Sequence, residues 1–320
     1  MTPDPLLAVS ALTVRLGGAD VLSTVDVSLA PGEVVAMLGP SGSGKTTLLG
    51  AVAGFVPVAS GEISISGEVV SAPGHTIPPE RRSIGFVFQS YALWPHLTAR
   101  DTVAFPMEVA GMRREDARKR ADAILASLGV ADLAGRLPVE MSGGQQQRVG
   151  LARVLARNAA LWLLDEPTAH LDGVTRQVVE EVVAAGLRER GAAAIYATHD
   201  PGEALGIADR VVLLRAGRVV QQGSPAEVYE RPVDEWAARL TGPASVLVRR
   251  DKRVMVRPEW VRIGAGEPGI VASVRTRGPF TAVVLDTADG RLEAWEAGAA
   301  PHRVGDAVRW HAERDWPLSG

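Results

Sequence analysis

Residues 39–46 read Gly-Pro-Ser-Gly-Ser-Gly-Lys-Thr, a glycine, four residues, then Gly-Lys-Thr. Nothing else in the chain restricts the fold as strongly. In a loop of this spacing the backbone amides wrap a polyphosphate, while a lysine and a hydroxyl complete the grip. Such a loop needs a strand entering it and a helix leaving it. The sequence offers both: residues 33–38 form a short apolar run of buried-strand type, and residues 47–55 suit a helix. The expectation is a nucleoside triphosphate held by Gly39, Pro40, Ser41, Gly42, Ser43, Gly44, Lys45, Thr46 and Thr47.

The chain has 320 residues, 46% of them apolar, which is enough for one large domain and a small one. Lys and Arg (34) nearly balance Asp and Glu (37), so the net charge of -3 gives no electrostatic case for wrapping nucleic acid. The absence of cysteine excludes disulfides and thiolate metal sites and fits a reducing compartment, with the cytosol expected. No segment approaches the roughly 18 to 20 uninterrupted apolar residues that cross a bilayer. The first residues also lack the cationic region and apolar stretch of a secretory signal. A soluble polypeptide is expected, and any membrane role must run through a partner.

Residues 6–14, 21–29 and 63–70 cluster β-formers between Gly, Pro and Ser and read as strands of an antiparallel layer beside the phosphate loop. Residues 115–128 carry apolar positions at helical spacing, with basic side chains on a solvated face. From residue 161 onward apolar strands (161–164, 193–197, 210–214) alternate with helices (174–189, 202–208), which indicates a parallel sheet. Ser224-Pro225-Ala226-Glu227 starts a helix expected to run to about residue 240. After residue 243 the chain turns to short β-rich runs (245–248, 254–256, 271–274, 281–285, 307–310), read as a small barrel. The expected domains are therefore 1–243 and 244–320.

A phosphate loop alone serves many functions, so its companions decide. Ser142, Gly143, Gly144 and Gln145 open a helix over about residues 145–157, in which Ser142 can cap and Gln145 return the bond. A positive helix terminus bearing a hydroxyl suits a terminal phosphate; the plainer reading is a capped surface helix. Residues 161–164 lead into Asp165 and Glu166. An aspartate at a strand tip beside the loop can hold Mg²⁺ through water, and the next acid can deprotonate an attacking water. The alternative is a helix-start carboxylate pair. His199 follows the run 193–198, where an imidazole can contact the terminal phosphate or brace Glu166. Gln89 ends the apolar run 84–88 and can touch both a metal-bound water and a neighbouring subunit.

Together these elements, in this order, resemble the nucleotide-binding subunits of ATP-binding-cassette (ABC) transporters over about residues 5–240. The resemblance implies an α/β fold: a phosphate-loop ATPase of ABC type with a mixed sheet core and a helical subdomain at about 90–160, followed by a small β-barrel. It makes Gly39 to Thr46 the Walker A loop, Gln89 the Q-loop, Ser142 to Gln145 the family motif, Asp165 and Glu166 the Walker B pair, Ala169 to Asp172 the D-loop and His199 the switch histidine. Lys45 would bind the β and γ phosphates, Thr46, Gln89 and Asp165 would serve Mg²⁺, Glu166 would be the base and His199 its brace. In this family two domains pair head to tail, so ATP held by one loop meets Ser142 and Gly144 of the partner, and a homodimer is implied.

The stretch after Gln89 is similar to one that, in importers, receives a short helix of the membrane subunit. Tyr91, Trp94 and Leu97 would supply an apolar anchor there, or else form helical-subdomain core. Leu16 stands where many members carry an aromatic residue against adenine, and losing the stacking costs about 1 kcal/mol. Residues 256–262, with Arg257, Pro258 and Glu259, look like the Arg-Pro-Glu strand of the barrel (TOBE type, akin to an OB fold) appended to importer ATPases. The resemblance thus implies a peripheral ATPase at the cytoplasmic face of the membrane, working with permease subunits and indirectly with a solute-binding protein, on ferric iron, thiamine, a polyamine or a related solute. The alternative is a non-transport ABC ATPase acting on ribosomes or DNA.

Overall fold

The structure is a computed structural model that describes residues 4–88, 92–169, 171–249 and 251–318. Its contacts divide the chain into two compact units, 1–222 and 223–320. In the first unit, strands β1 (Leu7–Leu16) and β2 (Ala19–Leu29) form a hairpin, then β3 (Val34–Leu38) leads through the phosphate loop into α1 (Lys45–Ala53). Strands β4 (Ser60–Ile65), β5 (Glu68–Ala72) and β6 (His75–Thr76) complete a five-stranded sheet of order β2-β1-β4-β5-β6. The single strand expected over 63–70 is thereby corrected to a hairpin. Ser66 (φ 52°) and Gly67 (φ 80°) both take positive φ, as a two-residue turn between twisted strands requires.

Strand β7 (Ile84–Val87) precedes the helical part, α2 (Ala99–Val109), α3 (Arg114–Ser127) and α4 (Gly143–Ala156). The chain then alternates through β8 (Leu161–Asp165), α5 (Gly173–Arg190), β9 (Ala193–Thr198), α6 (Pro201–Ile207), β10 (Arg210–Arg215) and β11 (Arg218–Gly223). The second sheet has the order β11-β10-β3-β9-β8-β7, parallel from β10 to β7. Strand β8 explains why its sequence is apolar throughout. Leu161 and Leu163 enter the core shared with Leu12, Val14 and Leu22, while Trp162 and Leu164 enter the core shared with Val149, Val154 and Val183. Alternate side chains face opposite layers, and both layers are dry. The carboxyl ends of β3, β8 and β9 consequently open at one edge of the sheet, where a parallel sheet places its ligands.

The second unit comprises α7 (Pro225–Glu230), α8 (Glu235–Thr241) and strands β12 (Ser245–Arg249), β13 (Lys252–Val256), β14 (Val261–Thr276), β15 (Phe280–Thr287), β16 (Gly290–Ala297), β17 (Ala307–Ala312) and β18 (Trp316–Pro317). They form two sheets, β12-β13-β18 and β16-β15-β14-β17, around Leu247, Val256, Val283, Leu285, Leu292 and Trp310. The one helix expected from 225 to about 240 is two. Pro232 cannot continue α7, and Asp234 caps α8 by accepting from the Ala237 amide at 2.7 Å.

By packing, the chain divides at 222/223, and the hydrogen bonds of Arg257 among the described residues all lie within the second unit. Its guanidinium is 0% exposed and donates to the carbonyls of Tyr229 (2.6 Å), Ala238 (2.9 Å), Gly242 (3.1 Å) and Pro243 (3.0 Å) and to Thr241 Oγ1 (2.8 Å). It also lies 3.9 Å from the Tyr229 ring centroid. The Tyr229 hydroxyl donates to Glu259 at 2.7 Å, and burial together with that carboxylate raises its pKa well above the usual phenol range. The Arg-Pro-Glu motif therefore ties α7 and α8 to the β-rich unit.

Candidate active site

The phosphate loop takes its shape from space as much as from flexibility. A Cβ on Gly39 would stand 2.4 Å from the Leu214 carbonyl oxygen, and one on Gly44, at φ 107°, would stand 2.6 Å from Leu22 Cδ2. Only glycine passes at either point. Within the loop the Ser43 hydroxyl is buried with no hydrogen-bond partner among the described residues. Lys45 is 5% exposed, and its ammonium donates to the carbonyls of Gly39 (2.7 Å) and Pro40 (3.1 Å). Burial lowers its pKa, while the negative charges of Glu166 and Asp165 oppose the shift. An orphaned hydroxyl and a desolvated ammonium inside a ring of backbone amides fit a polyphosphate.

Thr46 opens α1 and donates from Oγ1 to Asp165 Oδ1 at 3.3 Å. Asp165 ends β8 and is buried; desolvation raises its pKa, the Thr46 hydrogen bond lowers it, and Glu166 raises it further. A hydroxyl and one carboxylate are hard oxygen donors of the kind Mg²⁺ prefers. Among the described residues no cluster of three His, Cys, Asp or Glu forms a closed cage, so an ion here would lean on substrate oxygens.

Glu166 follows in the left-handed region, φ 48°, a conformation that costs a non-glycine residue about 1–3 kcal/mol. Three contacts hold it there. Its amide donates to the Ala197 carbonyl at 2.9 Å, its carbonyl accepts from Gln147 Nε2 at 3.1 Å, and its Oε1 meets His199 Nδ1 at 3.2 Å. His199 thus reaches the carboxylate, one of the two contacts its position in the sequence allowed.

Beneath this pair lies a polar knot that sequence reasoning missed. Glu203, 7% exposed, accepts from Thr168 through Oε1 and from Thr198 through Oε2 at 2.6 Å, and Arg176 lies 3.5 Å away. Thr168 sits two residues after Glu166, and Thr198 immediately precedes His199, so one carboxylate fastens the segment that follows β8 and the end of β9. Arg176 also donates to Asp200 at 2.9 Å.

The remaining expected residues are less converged. Ser142 caps α4, its amide donating to Gln145 Oε1 at 2.8 Å, and Ser142 and Gly143 are exposed. None of the hydrogen bonds of Ser142 or Gln145 among the described residues reaches the phosphate loop. Asp172 caps α5, with both carboxylate oxygens taken by Thr175 (3.0 and 2.8 Å), and these bonds lower its pKa. Leu16 ends β1 with 43% of its surface exposed. Gln89, Tyr91 and His170 lie outside the described residues.

A second concavity of about 1030 Å³ lies in the same unit, lined in part by Phe55, Phe86, Phe88, Trp94, Phe105 and Arg153. Trp94 stacks edge-on to Phe105 at 5.1 Å, with the Arg153 guanidinium 5.2 Å from its ring. Of the aromatic anchor expected from the sequence, Trp94 is here; Leu97 is not part of the lining. The phenylalanines went unnoticed because they come from three segments. Phe55, Phe86 and Phe88 also border the cleft that holds Thr46 and Asp165, so one aromatic wall separates the two.

A phosphate loop, a strand-end acid pair and a histidine on the neighbouring strand define a nucleoside triphosphatase of the phosphate-loop class. Comparison with known proteins narrows this. The ABC transporter family matches residues 22–169 and the TOBE domain matches 254–317. The Fe(3+) ions import ATP-binding protein FbpC of Streptomyces avermitilis is 37% identical over 316 residues, covering 90% of this chain and 90% of that protein. The spermidine/putrescine import ATP-binding protein PotA of Pseudomonas fluorescens is 43% identical over 237 residues, 74% of this chain and 64% of that protein. A bacterial ABC transporter cassette solved as a dimer superposes with a TM-score of 0.63 at 31% identity, covering 68% of this chain and 98% of that one. The chain belongs to the ABC transporter family as an ATP-binding, ATP-hydrolysing protein with a C-terminal TOBE domain.

Proposed function

We propose that this chain powers the import of a small solute, ferric iron or a polyamine, as the ATPase subunit of a membrane transporter. The observation that carries the catalytic part is the convergence of Lys45, Thr46, Asp165, Glu166 and His199 at the ends of β3, β8 and β9. The relatives named for ferric iron and for spermidine and putrescine import support the solute class over action on ribosomes or DNA. Functionally we read residues 1–243 as the ATPase and 244–320 as the TOBE domain, whatever their packing.

In this reading Gly39 to Thr47 cradle the phosphates, with Lys45 on the β and γ groups. Thr46 and Asp165, joined by Gln89, would hold Mg²⁺, which neutralises charge on the transferring phosphoryl group. Glu166 takes a proton from water as its oxygen attacks the γ phosphorus and the bond to ADP breaks, and His199 keeps the carboxylate aimed. Leu16 packs on the base. Ser142, Gly143, Gly144 and Gln145 serve the γ phosphate of a second copy, and Asp172 lies at the junction. The dimer closes on ATP, the aromatic groove around Trp94 receives a helix of the permease, and hydrolysis reopens it. The subunit would work at the cytoplasmic face of the membrane, with a solute-binding protein delivering from the other side.

The test is Glu166→Gln. It should bind ATP and accumulate as a dimer in sizing experiments; a variant that stays monomeric with ATP and turns over at the parental rate removes Glu166 as base. For the solute, cells lacking the gene should lose uptake of labelled ferric iron or spermidine and regain it with the parent but not with Glu166→Gln. Unchanged uptake of both would discard this assignment.

A further inference from the structure

Helix α4 does two things at once. Its first residues are Ser142's capped turn, and a little further along the same helix Gln147 turns inward and is 2% exposed. Gln147 Nε2 donates to the main-chain carbonyl of Glu166 at 3.1 Å. Its other half, Oε1, is buried with no hydrogen-bond partner among the described residues. An unpaired buried amide oxygen is a standing cost that an apolar side chain of the same length would avoid. The donating half must therefore matter, and what it holds is the carbonyl of a residue in the left-handed region, φ 48°. Without that anchor, the strained main chain at Glu166 is held only through its amide to Ala197 and its carboxylate to His199, and the carboxylate is less firmly directed.

We propose that Gln147 is a positioning residue for Glu166, a strut from the flank of α4 that keeps the strained backbone in place and the carboxylate directed at water. This rests on the reading of Glu166 as base. Because a helix moves as a body, α4 then serves one nucleotide with its tip and the acid of the other site with its flank. Capture of a γ phosphate at Ser142 is felt at Glu166 of the same chain.

The experiment uses the full chain and steady-state ATPase measurements on Gln147→Met and Gln147→Glu. Gln147→Met keeps the length and loses the donor. Its kcat should fall about tenfold with KM for ATP changed less than about threefold, as expected for a lost orienting hydrogen bond, and its unfolding midpoint should stay near the parent. In the Glu166→Gln background the same change should cause no further loss. Gln147→Glu regains a donor only when its carboxyl is protonated, so its rate relative to the parent should rise as pH falls. A parental kcat in Gln147→Met, or a loss confined to KM, overturns the proposal. If Gln147→Met does not fold, a pH-independent ratio for Gln147→Glu overturns it. Should Glu166→Gln itself turn over at the parental rate, the reading of the base fails instead.

Discussion

Thr198 donates its hydroxyl to Glu203 over 2.6 Å, which joins the last residue of β9 to an acid at the first turn of α6. Thr168 reaches the same carboxylate from the loop after β8, and Tyr196 lies at 3.5 Å. Removing the carboxylate leaves these buried hydroxyls without this acceptor, while Arg176 keeps its ion pair with Asp200. Glu203→Ala is expected to destabilise the first unit by about 2–4 kcal/mol, read from chemical denaturation. A change below about 0.5 kcal/mol would mean that the knot carries no load.

Asp165 gives a pH signature. Burial raises its pKa above the ordinary 3.8, so its contribution to stability is fully present below the unfolded value and is lost as pH rises through the folded one. Above that point the site holds a desolvated negative charge, which a cation can offset. The stabilisation conferred by MgATP should grow from acid to neutral pH in the parent and be largely absent in Asp165→Asn. Equal thermal shifts in both proteins at neutral pH would remove Asp165 as a metal ligand.

Leu16 offers no aromatic face to a base, and 43% of its surface is exposed. ATP and GTP should be hydrolysed with similar kcat/KM. Leu16→Tyr should tighten nucleotide binding by about 1 kcal/mol through stacking, measured as a lower Kd. A strong preference of the parent for one base would contradict weak base recognition.

Arg257→Ala removes the donor to four carbonyls and one hydroxyl at once. A loss of about 3–5 kcal/mol in the 223–320 unit is expected, and Arg257→Lys should recover little because an ammonium has three donors and no planar fork. Tryptophan fluorescence can follow it, since Trp236, Trp260, Trp295, Trp310 and Trp316 are five of the seven tryptophans and all lie in that unit. Coincident unfolding of parent and Arg257→Ala would refute the role.

The phosphate loop, the strand-end acids and the alternation of strands with helices were legible because each is written in local spacing. Asp165 and Glu166 needed only the apolar run before them. Glu203 was not legible: an acid in the first turn of a helix reads as a solvated residue favoured by the helix dipole, and only the packing of β9 against the loop after β8 buries it. Gln147 sat among three consecutive glutamines. Its burial follows from helix phase, since Leu151 and Val154, four and seven residues on, are buried on the same face. The break at Pro232 was present in the sequence and outweighed by the capped start at Ser224. Strand β16 alternates Leu292 and Ala294 inward, but Glu293 between them and Glu296 beyond masked the period. The aromatic groove had no linear signal, as Phe55, Phe86 and Phe105 are brought together only by the fold.

The tie made by Arg257 decides how the gene can be shortened. Cut after residue 243, the polypeptide keeps the carbonyls at the ends of α7 and α8 and loses the guanidinium that donates to them. Cut after residue 222, acceptors and donor leave together. A catalytic fragment free of orphaned helix ends therefore ends at Gln222, and the two helices belong in any expression clone meant to hold the β-rich unit alone.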